Sequence, residues 1–143
     1  MYAITCDTTI DGTVDSVWAT WTDMASYPDW DPREESLRID GPFEAGTTGF
    51  SKQIGGRPGA DFRLTLVEPK ERWKNELPLP GGRLVIDHWL SPTDDGRLHV
   101  IKRYEVHGPM SLPFRLFFAR GIREGAALTF AALETEAARR AKA

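Results

Sequence analysis

Apolar residues recur along this chain with different periods, and each period occupies its own stretch. Residues 2–10 alternate weakly and are rich in Thr and Ile, the pattern of an edge or barrel strand, until Asp11-Gly12 interrupts them. Val14, Val17, Trp18 and Trp21 then recur at helical spacing behind Thr13, a residue suited to the N-cap, with Asp15 in the first turn. Thr22-Asp23 predicts a second short helix reaching Ser26 or Tyr27. It should stop at Tyr27-Pro28-Asp29-Trp30-Asp31-Pro32, because each proline disfavours helical geometry in the residue before it. That segment is expected to be a rigid aromatic connector.

From Glu35 to His107 the helical period disappears, and Gly or Pro clusters at 41–42, 55–59, 80–82 and 96 separate runs suited to strands. An antiparallel meander is predicted. Register is testable within it, since a slip of one residue reverses every side chain. With Pro69-Lys70 as a loop, Phe62, Leu64 and Leu66 face Leu77, Asn75 and Trp73. With Asp94-Asp95-Gly96 as a loop, Leu84, Ile86, His88 and Leu90 face Val106, Tyr104, Lys102 and Val100, and Gly96 supplies the left-handed position. The second register also sets Asp87 opposite Arg103, a favourable charge pair.

After Leu112-Pro113 the chain is dominated by Ala, Leu, Arg and Glu, which predicts a single long helix. Phe114, Phe117, Phe118, Gly121, Gly125, Leu128 and Ala132 form its apolar stripe. At about 1.5 Å per residue, a helix of about 25 residues spans about 37 Å, enough to cross a whole sheet. The tail from Ala137 to Ala143 is expected to fray, with 138–143 solvated. No repeat or linker divides the sequence, so residues 1–143 read as one ligand-binding domain.

Composition adds exclusions. The 143 residues carry 18 basic and 21 acidic side chains, a net charge of −3, with the signs interspersed. No basic surface for a phosphate backbone is implied, so nucleic acid is not an expected partner. The single Cys6 provides neither an internal disulfide nor a thiolate metal cluster. The opening MYAITCDTTI lacks a basic segment followed by an apolar run, and no stretch of about 18 apolar residues occurs. A cytoplasmic protein without membrane insertion is expected.

Six groups of residues carry a family likeness: Val17-Trp18; Asp23 with Tyr27-Pro28-Asp29-Trp30-Asp31-Pro32; Gly41-Pro42-Phe43-Glu44-Ala45-Gly46-Thr47; Val67-Glu68-Pro69; Arg72-Trp73; and Asp87-His88. In their order along the chain they resemble the START, Bet v 1 and polyketide cyclase/dehydrase superfamily, called SRPBCC, and within it the cyclase/dehydrase branch. The resemblance implies an α+β helix-grip fold. In that fold a curved antiparallel sheet wraps around a long C-terminal helix, two short helices follow the first strand, and an elongated pocket is left inside. It also implies binding of apolar or aromatic small molecules, with catalysis in only some members and no metal or nucleotide cofactor.

On that fold, Trp30, Phe50, Phe62, Leu64, Trp73, Ile86, Tyr104, Phe114 and Phe118 are the expected aromatic and aliphatic lining, with Gly121 leaving room beneath the helix. Asn75, His88, Lys102 and Tyr104 interrupt apolar strand faces, where each would cost about 1–3 kcal/mol if buried without a partner. They are candidates to hold a ligand carbonyl or phenol. His88, Tyr104 and Lys102 are the catalytic candidates if the protein is an enzyme, through an imidazole near its ordinary pKa, a polarising phenol and a cation.

Other chemistry is poorly supported. His99 and His107 lie about 26 Å apart on one predicted strand at about 3.3 Å per residue, which forbids a shared metal ion. Gly55-Gly56-Arg57-Pro58-Gly59 lacks the ending of a phosphate loop and reads as a strand connection over the pocket entrance. Asp29, Asp31, Glu34 and Glu35 read as turn and capping residues without a catalytic role. Three functions remain in play: ligand binding; alternatively, a polyketide cyclase/dehydratase-type enzyme; or an interaction module, with Trp89 and Ile101 as a possible homodimer contact.

Overall fold

A computed structural model describes residues 1–143. Strand β1 (Tyr2–Ile10) leads to helix α1 (Val14–Thr22), a 3-10 turn (Met24–Ser26) and the short helix α2 (Tyr27–Trp30). Strands β2 (Glu34–Ile39), β3 (Thr48–Gln53), β4 (Ala60–Glu68), β5 (Arg72–Leu79), β6 (Gly82–Pro92) and β7 (Leu98–His107) follow. A helical run of α3 (Ser111–Pro113), a π turn (Phe114–Phe118) and α4 (Ala119–Lys142) ends the chain. All seven strands form one antiparallel sheet ordered β1-β7-β6-β5-β4-β3-β2. This is the expected helix-grip architecture: a curved sheet against a long C-terminal helix, with short helices after the first strand.

Local chemistry explains the elements. Thr13 Oγ1 accepts from the Ser16 amide at 3.1 Å and so caps α1, which buries Val17, Thr20 and Trp21 against the sheet and α4. The connector beyond it begins as a short helix, although its prolines were expected to keep the residues before them out of helical geometry. Pro28 lies in the first turn of α2, where its missing N–H leaves no helical bond unmade, and Tyr27 stays helical. Asp31, before Pro32, does adopt the extended backbone that proline favours there.

The β6–β7 hairpin has the predicted register, from Leu84↔Val106 through Leu90↔Val100, and Gly96 has a φ of 82°. The β4–β5 hairpin follows prediction at Leu64↔Asn75, but a bulge at Thr65 then shifts the pairing by one residue. Val67, not Leu66, therefore stands opposite Trp73. Asp87 is opposite Arg103 in register, yet its carboxylate is held from the neighbouring strand by Arg72 at 2.6 Å and Lys74 at 3.6 Å. Arg103 turns to Glu105 instead.

The C-terminal run departs from a single stripe. Its π turn inserts a residue and rotates the following helix by about 100°. Beyond it, Ala126, Phe130, Leu133 and Ala137 face inward, while Leu128, expected on the stripe, is exposed. Nor does the helix stop at Ala137. It continues to Lys142, and Arg140 binds Asp23 at 3.0 Å and Ser26 Oγ at 2.9 Å, tying the last turn to the α1–α2 corner. The core packs α1 and the second half of α4 onto the sheet through Val17, Trp21, Leu64, Val100 and Leu133. Toward α3 the interior opens.

Candidate functional site

The opening is a cavity of about 570 Å³ between the concave face of the sheet and the helical run, within the range of pockets that take drug-sized ligands. Most of its wall is apolar or aromatic. Trp30, Phe62, Trp73, Ile86, Tyr104, Phe114, Phe118 and Gly121 line it, together with the polar Asn75, His88 and Lys102. Two expected lining residues do not. Leu64 is wholly buried in the solid core. Phe50 lies on the opposite face of β3 from Ser51, which does line the cavity. Its ring is stacked under Arg38, 5.8 Å from the guanidinium, and packs on Gly59.

The glycines of the helical run divide in role. A side chain at Gly121 would meet nothing within 4 Å, so its absence contributes cavity space, whereas at Gly125 the Arg33 guanidinium already occupies the position, 3.1 Å away. Above the entrance, the β3–β4 loop brings Arg57 and Pro58 over the cavity, and the Arg57 guanidinium sits 5.9 Å from the centre of the Phe118 ring.

His88 is fixed on two sides. Its ring stacks on Trp73 at 3.6 Å with 3° between the planes, and Nδ1 lies 3.2 Å from the Trp73 carbonyl oxygen. A carbonyl only accepts, so Nδ1 carries the hydrogen and Nε2 is left as an acceptor. Burial first, and the positive charge of Lys102 second, hold the imidazole well below its ordinary pKa, against the opposing effect of the Trp73 carbonyl. His88 is thus a neutral acceptor at physiological pH rather than the poised acid–base group expected from its type.

Lys102 stays charged. Burial works against its ammonium, but the Tyr104 side chain and the carboxylates of Asp31 and Glu34 overcome that effect and raise its pKa. Its Nζ lies 5.3 Å from the centre of the Tyr104 ring. Asn75 Oδ1 and Trp73 Nε1 are buried in the wall without a hydrogen-bond partner.

The polar end of the cavity contains residues for which no site role was expected. Glu34 is buried, accepts from Ser51 Oγ and faces the cavity with Asp31, Ser51 and Thr129. Asp31 Oδ1 accepts from the Arg33 amide at 3.0 Å and from Thr129 Oγ1 at 3.1 Å. Burial and, more weakly, the nearby Asp31 charge raise the Glu34 carboxyl from 4.5 to about 7, with Ser51 and Lys102 pulling the other way. Asp31 and Glu34 therefore line the cavity as well as forming the turn. The signal was hidden by a bulge: Glu34 pairs with Gln53 but Ser36 with Lys52, so Glu35 drops out of phase and points outward to Lys52.

On the outer face, Trp89 and Ile101 are opposite each other as predicted. The Arg72 guanidinium lies 4.6 Å from the Trp89 ring centre, so that indole face is already covered within the chain. Elsewhere, no helix is long and apolar enough to cross a membrane.

Comparison with known proteins gives a consistent picture. A family described as polyketide cyclase/dehydrase and lipid transport matches residues 1–138. No curated protein matches the sequence. Among solved structures, the Zhui aromatase/cyclase from Streptomyces sp. R1128 superposes with a TM-score of 0.80 at 15% identity, over 97% of this chain and 94% of that one. The di-domain aromatase/cyclase StfQ from the steffimycin biosynthetic pathway gives 0.79 at 13% identity, over 99% of this chain and 52% of its own. Norcoclaurine synthase from Thalictrum flavum gives 0.71 at 17% identity, over 94% and 95%. At these identities the likeness is one of fold.

Proposed function

Because the chain belongs to the polyketide cyclase/dehydrase and lipid transport family, we propose that it binds a small, largely apolar molecule carrying an aromatic ring and at least one carbonyl or phenol oxygen. The observation that carries this reading is the cavity itself: a mostly apolar wall of about 570 Å³ on which His88, Lys102, Tyr104 and Glu34 converge. Flat rings suit the Phe114 and Phe118 faces. A hydroxyl donates to His88 Nε2, and a carbonyl or phenolate oxygen accepts from Lys102. A ligand group that reached Asn75 Oδ1 or Trp73 Nε1 would satisfy an atom whose unpaired burial costs about 1–3 kcal/mol. Titration with an apolar fluorophore such as anilinonaphthalene sulfonate tests this: saturable binding is expected, weakened by Phe118→Ala. Non-saturable fluorescence, indifferent to Phe118→Ala, would refute it.

One observation favours turnover as a second reading. A carboxyl raised to about 7 beside a retained cation is the combination that proton transfer at a ketone uses. In this reading Glu34 takes a proton from the carbon next to a carbonyl, Lys102 stabilises the oxygen that gains charge, and Glu34 returns the proton during cyclisation or dehydration. His88 serves only as a hydrogen-bond acceptor.

A further inference from the structure

Most arginines of this chain are neutralised by its own carboxylates. Nine of the thirteen pair with one, whereas Arg33 and Arg57, the two that line the cavity, do not. Arg33 is the more enclosed. Its amide donates to Asp31 Oδ1 at 3.0 Å and its carbonyl oxygen accepts from the Ile54 amide at 3.0 Å, so the backbone beneath the side chain is pinned on both sides. The side chain is partly buried and lies against Gly125 of α4, where a Cβ would stand 3.1 Å from Nε and 3.6 Å from Cζ. Glycine thus seats the guanidinium on the helix, yet only the main chain of Arg33 is engaged in hydrogen bonds. A guanidinium cannot shed its charge, and drawing it out of water without a partner is unfavourable. Free donors aimed into a cavity are suited to an anion that arrives with the ligand.

The charges in the wall favour the same ligand. The chain has a net charge of −3, but Arg33, Arg57 and Lys102 face the cavity against only Asp31 and Glu34, and Glu34 keeps its proton up to about 7. Lys102 is already served by Tyr104 and by both carboxylates. Arg57 is exposed at the rim, 5.9 Å from the Phe118 ring centre, and Phe117, turned outward at the cavity mouth by the π turn, is 76% exposed. Arg33 is left as the enclosed cation with free donors. A planar guanidinium meets both oxygens of a carboxylate through two parallel N–H···O bonds, whereas a phosphate would keep at least one charged oxygen unmet in an otherwise apolar cavity. Gly121, one turn before Gly125, has nothing within 4 Å of its missing side chain, so space near that seat is open to the body of a ligand.

We propose that Arg33, seated on Gly125, is a carboxylate-binding residue of the cavity, so that the molecule it takes is an aromatic acid held at its charged end by this guanidinium. The inference rests on the binding reading above and narrows its ligand class. Titration of the full chain with N-phenyl-1-naphthylamine, a neutral apolar fluorophore, reports whether the cavity binds at all. Displacement of that probe by 2-naphthoate and by its neutral isostere 2-naphthamide then reports the subsite, below the Glu34 pKa of about 7. Naphthoate is expected to displace the probe at about tenfold lower concentration than naphthamide, as a charge-assisted pair at a partly hydrated site would give. Arg33→Gln should abolish that preference while the neutral probe still binds. The guanidinium has no internal partner, so the substitution removes no native side-chain bond, and circular dichroism checks that the fold is kept. Arg115→Gln, which alters an exposed arginine outside the cavity wall, should leave the preference intact. Equal displacement by naphthoate and naphthamide, with the neutral probe binding saturably, overturns the carboxylate subsite and leaves the binding reading standing. So does a preference that persists in folded Arg33→Gln. A neutral probe that fails to bind saturably overturns both.

Discussion

Glu34 gives the sharpest test of the site. Its carboxyl moves from 4.5 to about 7 on folding, mainly through burial. Below about pH 4.5 the group is protonated in both the folded and unfolded chain and has no effect on stability. As pH rises, the unfolded chain releases the proton first. The unfolded state then binds fewer protons than the native one, so stability falls with increasing pH until the folded carboxyl ionises near 7. At about 1.4 kcal/mol per pH unit, the loss across this window is about 3 kcal/mol. Glu34→Gln keeps the shape and a partner for Ser51 but cannot ionise. Urea unfolding of both proteins should therefore show little difference at about pH 4 and a variant more stable by about 3 kcal/mol at about pH 8. For a chain of this size that corresponds to a Tm difference of about 6–12 °C. Groups common to both proteins, His88 included, cancel in the comparison. A difference that is the same at both ends of the window refutes the raised carboxyl, and with it the proton-transfer reading.

Gly121→Leu should fill the cavity without straining the fold, since nothing lies within 4 Å of the added Cβ. Replacing a helical glycine favours the fold by roughly 0.8 kcal/mol, so an unchanged or slightly raised Tm together with loss of saturable fluorophore binding is expected, and undiminished binding would count against the assigned cavity. Asp87→Asn removes the carboxylate that holds Arg72 and Lys74 and is itself only 3% exposed. Because both cations retain some contact with water, the cost in urea unfolding should be about 2 kcal/mol, short of the ~3–5 kcal/mol for a fully buried pair. A neutral substitution would show that this charge cluster does not stabilise the β5–β6 pair.

What the sequence disclosed, and what it hid, follows from how side-chain facing is determined. In the β6–β7 hairpin the alternation is unbroken from Leu84 to Leu90, so His88, Lys102 and Tyr104 could be assigned to the inner face from spacing alone, and Ile86↔Tyr104 and His88↔Lys102 are paired in the fold. The same rule fails wherever a residue is added. The bulge at Thr65 swaps Leu66 for Val67, the bulge at Glu35 brings Glu34 inward, and the π turn at Phe114–Phe118 moves the buried stripe from Leu128 to Phe130 and Leu133. Phe50 failed for a different reason: hydrophobicity alone suggested the inner face, while Arg38 and Gly59 offer its ring an equally good outer one. Regular alternation thus reveals the scaffold, which must repeat to pair its strands. The carboxylate beside the cavity and the exposed aromatic at its mouth owe their positions to interruptions of that repeat. An inserted residue costs ladder hydrogen bonds, and at Glu35 the interruption leaves a buried, ionisable Glu34 in the cavity wall, where Leu37 of the same strand contributes only apolar surface.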